Sequence, residues 1–243
     1  PVSYERAIEI FRERGGDPDR VGKEDPLDTV LWTAKKPAEP FWPSPFGDGR
    51  PGWHIECTAI SLKYLSSYSK ETLITLQGGG SDLLFPHHYM SSVQARALRD
   101  QDFARLYVHT GMIGLNGEKM SKSKGNLVFV SQLLRDGVDP MTIRIALLRE
   151  NYQEDRMWSN SLLDSAAAIK SSLLAALSHP TVISTEKIRR TIIHELAHGL
   201  NTKEVFISLT NWLRENSHAQ ESEREESSGI FARFLDGLLG LSF

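Results

Sequence analysis

The chain has 243 residues, of which 40% are hydrophobic and 24% charged, and it carries a formal net charge of −3. That length suits one large or two small globular domains, and no run approaches the roughly eighteen apolar residues of a membrane span. The charge argues against a broad nucleic-acid footprint, and a single cysteine, Cys57, excludes an internal disulfide and favours a reducing cytoplasm. No basic head followed by an apolar run opens the chain. It begins at Pro1 rather than Met, so sequence upstream is expected.

Residues 3–14 read as a helix with Ala7, Ile8 and Phe11 as its apolar stripe, stopped by Gly15-Gly16. Residues 1–52 form a connector region containing Glu13-Arg14-Gly15-Gly16-Asp17-Pro18. The stretch Trp42-Pro43-Ser44-Pro45-Phe46-Gly47 within it is expected to be ordered and to pack its aromatics. A helix over 53–66 follows, with Ile55, Ala59, Leu62 and Leu65 on one face. Cys57 lies about 200° round that helix from Ile55. It faces either a cleft or, with Ile60 and Tyr64, a plain buried environment.

The apolar run Leu73 to Leu76 predicts a strand, Gly78-Gly79-Gly80 a glycine loop, and His88 to Leu98 a helix. Strand, glycine loop and helix make the geometry of a nucleotide crevice. Phe103 to Val108 predicts a second strand, 111–126 a long loop, Val130 to Arg135 a short helix, and Asp139-Pro140 the start of a helix to about Arg149. Residues 53–158 are therefore expected to form an α/β region. From 159 to 243 the pattern changes to four amphipathic helices. Ser161 with Asp164 and Asn201 with Glu204 give the start signals, and Ile230, Phe234, Leu238 and Leu241 the last apolar stripe.

Chemistry-bearing residues cluster in the middle third. Three glycines let backbone amides approach a ligand, and Asp82 just beyond can accept from ribose hydroxyls. An ordinary tight turn is the alternative. Lys119 and Lys122 sit in Gly117-Glu118-Lys119-Met120-Ser121-Lys122-Ser123-Lys124-Gly125, which suits either a loop closing on polyphosphate or a solvated basic turn. Cys57 and His87 are zinc-type donors, but two ligands do not complete a site.

In combination these segments become specific. Gly52-Trp53-His54-Ile55-Glu56-Cys57, the block from Gly78 to His88, and Lys119-Met120-Ser121-Lys122-Ser123 occur in order over most of residues 1–160. Together they resemble the cysteinyl-tRNA synthetase group of class I adenylate-forming enzymes, whose KMSKS loop the last segment matches without a mismatch. The resemblance implies an α/β chain: the second half of a Rossmann-like nucleotide-binding core, then a small α-helical bundle.

Within that group the departures favour a ligase branch over the synthetases. A synthetase zinc glutamate falls four residues after His87, where this chain has Ser91, and Tyr89 replaces the usual glutamate after the His pair. The segments from Glu13 to Pro18, Gln77 before the glycines, and His109 to Gly114 resemble the branch of mycothiol biosynthesis that joins cysteine to glucosaminyl-inositol.

That resemblance implies partners L-cysteine, ATP with Mg²⁺, and glucosaminyl-inositol, with tRNA and membrane not among them. It implies Lys119 and Lys122 on the β- and γ-phosphates, Gly80, Ser81 and Asp82 on the ribose side, and Ile113 beside adenine. Trp53 would lie near the cysteinyl moiety. Cys57 and His87 would bind Zn²⁺ with a cysteine from an N-terminal half of the same enzyme. The chain contains no His-x-Gly-His segment, so it is expected to be inactive by itself. A fragment of a cysteinyl-tRNA synthetase and a non-catalytic nucleotide- or partner-binding relative are the alternatives.

Overall fold

The computed structural model describes residues 2–65, 72–122 and 124–243. The chain divides into two compact units, Pro1–Thr110 and Gly111–Phe243. Their boundary falls inside the 53–158 stretch that the sequence groups as one α/β region.

In the first unit, helix α1 (Tyr4–Glu13) is capped by Ser3, whose side chain accepts from the Arg6 amide. It ends where the Gly16 amide donates to the Phe11 carbonyl at 2.8 Å. Strands β1 (Trp32–Ala34) and β2 (Gly49–Pro51) pair antiparallel. The connector is ordered, as predicted, but its aromatics are not packed away: Trp42 and Phe46 are exposed. Order comes instead from backbone bonds, with Trp42 and Gly49 exchanging both N–H···O contacts at 2.7 and 3.0 Å.

Helix α2 (Trp53–Tyr64) also departs from its expected face. Ala59 and Leu65 are exposed, and the buried residue is Thr58. Its hydroxyl bonds the His54 carbonyl at 2.9 Å and Gln94 at 3.0 Å, so a polar contact fixes the helix rotation. The predicted extension over residue 66 lies outside the described residues.

Strand β3 (Thr72–Gly80) runs parallel to β4 (Asp102–Thr110), with α3 (Tyr89–Arg99) as the crossover. This is the parallel α/β element the sequence predicts. Leu73, Ile74, Phe103 and Ala104 are buried in one cluster with Ala95 of α3, while Leu76, Leu106 and Tyr107 are exposed.

The second unit holds a small sheet ordered β6-β5-β7: Glu118–Lys119, Ile113–Leu115 and Arg156–Trp158. The long loop expected over 111–126 is thus partly a β-hairpin. Asn116 and Gly117 both have positive φ, at 54° and 82°. That pair forms the two-residue primed turn that Asn-Gly favours, so the local signal was present in the sequence. Helices α4 (Val130–Arg135) and α5 (Pro140–Leu148) follow.

Asp139 caps α5, accepting from the Met141 and Thr142 amides, and bonds Lys170 of α6 at 2.8 Å. That lysine and the two amides hold its carboxyl below the usual range. Asp139→Ala is expected to cost about 1 kcal/mol, measured by urea denaturation; an unchanged midpoint would remove the cap from the account.

The bundle consists of α6 (Asn160–Leu177), α7 (Glu186–Ala197), α8 (Thr202–His218) and α9 (Ser228–Leu239), joined by a short β8–β9 pair (Thr181–Val182 with Glu226–Ser227). Leu173, Ile192, Val205, Leu209, Phe231 and Leu235 are fully buried at its centre. Two sequence expectations shift. Ser159 rather than Ser161 caps α6, accepting from the Leu162 amide. The inner face of α9 is Phe231, Leu235 and Leu239, one position on from Ile230 and Leu238, which are exposed. Adjacent rows of that helix are both apolar, so periodicity alone does not choose between them. No helix among the described residues is long and apolar enough to cross a membrane.

Candidate functional site

In the first unit the three glycines are not a loop. Gly78, Gly79 and Gly80 are the last residues of β3, in register with Val108, His109 and Thr110 of β4. A Cβ on Gly79 would meet the His88 ring at 2.8 Å and Leu83 at 3.0 Å. The glycine there admits a histidine against the strand, and the expected loop is instead the end of β3. Gly80 begins the short turn Ser81–Leu83, which carries Ser81 and Asp82 half-buried beyond the strand's C-terminal end. That end is where ligands sit on open parallel sheets. The cis Phe85–Pro86 bond and an irregular turn over Leu84–His88 then lead into α3. Arg14, from the Glu13 to Pro18 segment, donates to the Phe85 carbonyl and ties that segment to the turn.

His88 is buried and sits in a hydrogen-bond chain. The Gln77 amide nitrogen lies 2.9 Å from its Nε2, and its Nδ1 lies 2.7 Å from His109 Nε2. An amide nitrogen can only donate, so His88 Nε2 accepts and its proton is on Nδ1, donated to His109. Burial, then the neighbouring His109 and His87, push the His88 pKa down to about 4, with Asp82 opposing. The sequence names Gln77 and His109 only through resemblance and gives His88 no role. The β3–β4 register is what joins them.

His87 is the neighbouring centre. Its Nδ1 lies 2.8 Å from His54 Nδ1, and Trp53 stacks on its ring with centroids 4.4 Å apart. Burial lowers the His87 pKa, and burial with His87 beside it takes His54 to about 4. These imidazoles are neutral at pH 7. Burial, then Glu56, raises the half-buried Cys57 thiol, and a side-chain hydrogen bond from Trp53 works the other way. Ser91, at the position of the synthetases' glutamate, is buried on α3.

Zinc takes three or four protein ligands. Among the described residues no three His, Cys, Asp or Glu side chains gather as a metal-binding set. His87, neutral and with Nδ1 engaged, has the form of a ligating imidazole whose other nitrogen would bind. Cys57 is a soft donor. Each of the two thus has the donor chemistry of a zinc ligand.

The histidine shifts have a consequence for stability. A free histidine titrates near 6.5, whereas His54 and His88 in the fold hold out to about 4. As pH falls below 6.5 the unfolded chain gains protons that the folded chain refuses. Stability is then lost between pH 6.5 and about 4. Denaturant midpoints at pH 7.5 and 5 should show the fall. His88→Gln, which cannot charge, should flatten it, and an unchanged slope would count against the assignment.

In the second unit Lys119 ends β6 and Lys122 follows in the turn; both are exposed. Asn126 staples this loop, its Oδ1 accepting from the Ser121 amide at 2.9 Å and its Nδ2 donating to the Lys119 carbonyl at 3.2 Å. Met120 and Ile113 pack on the helical core, while Lys124 pairs with Glu118 at 3.0 Å. Ile113, expected beside adenine, is a half-buried β5 residue whose packing is with that core. The arrangement anchors the loop through Met120 and Asn126 and leaves two lysines as exposed point charges. Ser123 lies outside the described residues.

Comparison with known proteins gives these features a setting. Residues 4–168 match the family of tRNA synthetases class I (C) catalytic domain. The chain is 49% identical over 243 residues to a protein of Rhodococcus erythropolis named L-cysteine:1D-myo-inositol 2-amino-2-deoxy-alpha-D-glucopyranoside ligase, covering 98% of this chain and 57% of that protein. Proteins of the same name from Rhodococcus jostii and Mycolicibacterium smegmatis are 50% and 47% identical, each over 96% of this chain and 55% and 56% of their own length. The chain thus spans a little over half of the curated relatives it matches. Among solved structures, the LeuRS of Agrobacterium radiobacter K84, in a ternary complex with tRNA and LeuAMS, superposes with a TM-score of 0.56 over 83% of this chain and 33% of that one, at 16% identity. That likeness concerns the fold. With the family match covering α1 through the start of α6, the chain belongs to the class I (C) tRNA synthetase catalytic-domain family.

Proposed function

We propose that the full-length protein joins L-cysteine to the amine of glucosaminyl-inositol in mycothiol biosynthesis, at the expense of ATP. The observation that supports this most is the 47–50% identity, over nearly the whole chain, to proteins named for that ligation. In the first step the cysteine carboxylate attacks the α-phosphorus of ATP, forming cysteinyl-adenylate and releasing pyrophosphate. In the second the sugar amine attacks the acyl carbon, loses its proton, and AMP leaves.

The residues divide the work by unit. In the first, Gly80 at the end of β3 and Ser81 and Asp82 just beyond it hold the ribose side of the adenylate, while Trp53 packs near the cysteinyl group. In the second, Lys119 and Lys122 neutralise the β- and γ-phosphates of ATP and its Mg²⁺ complex, and Ile113 flanks adenine from β5. Such catalysis is mostly positioning and charge stabilisation. Zinc held by Cys57, His87 and donors outside the described residues would select cysteine, because it prefers a soft thiolate to a neutral hydroxyl. The reaction takes place in the cytoplasm, in keeping with a lone reduced cysteine.

The chain of 243 residues alone forms no adenylate, since it lacks a His-x-Gly-His segment. A small amine acceptor also suits the second half of the chain. From residue 151 onward nine Lys and Arg face twelve Asp and Glu, a poor surface for a tRNA.

Full-length protein supplied with ATP and labelled cysteine should transfer label to glucosaminyl-inositol and not to tRNA; the reverse would make it a cysteinyl-tRNA synthetase. Nucleotide binding with no cysteine-dependent pyrophosphate exchange would make it non-catalytic. Cys57→Ala should remove bound zinc and cysteine-dependent exchange together. Normal zinc content in that variant would take Cys57 out of the metal site.

A further inference from the structure

The bundle of the second unit contains a groove of about 670 Å³ that the ligation chemistry does not use. That volume suits a metabolite-sized ligand. Its lining includes small residues of α6, Ala168, Ser172 and Ala176, together with Arg149, Arg214, Arg224 and His179. No carboxylate is among the described residues that line it. This is against the grain of the region, where acidic residues outnumber basic ones by twelve to nine from residue 151 onward.

The guanidinium groups are held in place but not used up. Arg224 donates to the Asn216 carbonyl at 2.8 Å, Arg149 donates to Ser165, and Arg214 to Asn211 at 3.2 Å. Each contact takes one of an arginine's five donors and orients the fork. Glu150 stands 4.0 Å from Arg149, which only partly offsets one of the three charges. A groove lined by three pre-oriented guanidinium forks and no carboxylate among the described residues matches a compact anion with many acceptor oxygens.

We propose that this groove binds the phosphate or diphosphate group of a small phosphorylated metabolite. A long polyanion fits less well. Outside the groove it would meet the acidic link over 221–226, where Glu221, Glu223 and Glu225 are exposed.

The test is calorimetric titration of the full-length protein with inorganic pyrophosphate, in the wild type, in Arg214→Gln and in Lys122→Ala. Arg214 is exposed, so its substitution leaves the fold intact, which an unchanged Tm would verify. Pyrophosphate binding should persist in Lys122→Ala and weaken about tenfold in Arg214→Gln, the loss expected for one charge-assisted contact. Binding that vanishes in Lys122→Ala would assign the anion to the lysine loop and overturn the proposal. So would equal affinity in Arg214→Gln, or no binding in any form. Unfractionated tRNA that binds more tightly than pyrophosphate, and loses that binding in Arg214→Gln, would give the groove to a polynucleotide instead.

Discussion

Lys122→Ala in the full-length protein is expected to lower cysteine-dependent ATP–pyrophosphate exchange by about 10²–10³-fold, the scale of losing one pre-placed charge on a developing oxyanion. Lys122 is exposed, and the loop around it is anchored by other residues, namely Met120 on the core and Asn126 on the Lys119 carbonyl and Ser121 amide. The substitution therefore removes a charge without releasing the loop. Lys122→Arg should restore part of the rate, since the charge survives although the geometry of the head group differs. Asn126→Ala offers the complementary measurement. It leaves both lysines in place but frees the loop, so the rate should fall while ATP binding at saturation is preserved. A Lys122→Ala rate within threefold of wild type would place the phosphate charge elsewhere.

The largest loss of stability should come from Phe231→Ala, about 3–5 kcal/mol. Phe231 is fully buried, its ring centroid 4.7 Å from that of Trp212, and it packs with Leu209 and Leu235 in the same core. Removing the ring takes away its transfer free energy and leaves a hole that two facing helices cannot fill without shifting. Because the chain has two compact units, the effect is best read locally. Amide exchange in α8 and α9 should accelerate by the corresponding factor, while β3 and β4 of the first unit exchange as before. A change under 1 kcal/mol would mean that the bundle repacks freely. Ile230→Ala, one residue away on the exposed side of α9, is the control and should cost little.

The contrast between Phe231 and Ile230 shows where the sequence was readable and where it was not. The four bundle helices, their order and the Asn201 cap of α8 follow from apolar spacing and cap chemistry, which are local properties. Which of two neighbouring apolar rows faces inward depends on what packs against it. The same holds for α2. Its apolar stripe was legible, but a hydroxyl-to-amide contact between Thr58 and Gln94 sets its rotation, and hydropathy does not register such a contact.

The site divides along the same line. The sequence by itself determined the family and the chemical vocabulary, because long motifs such as Trp53 to Cys57, Gly78 to His88 and Lys119 to Ser123 constrain residue type at every position. It also contained the Asn116-Gly117 turn, a local signal with a local cause. Only the tertiary structure showed that the three glycines end a strand, and that Gly79 is small because His88 lies against it. Only the parallel register of β3 with β4 brings Gln77, His88 and His109 into one hydrogen-bond chain, although eleven and twenty-one residues separate them. A strand fixes its partners through backbone pairing with a distant segment. Contacts made across that pairing have no signature in either segment alone.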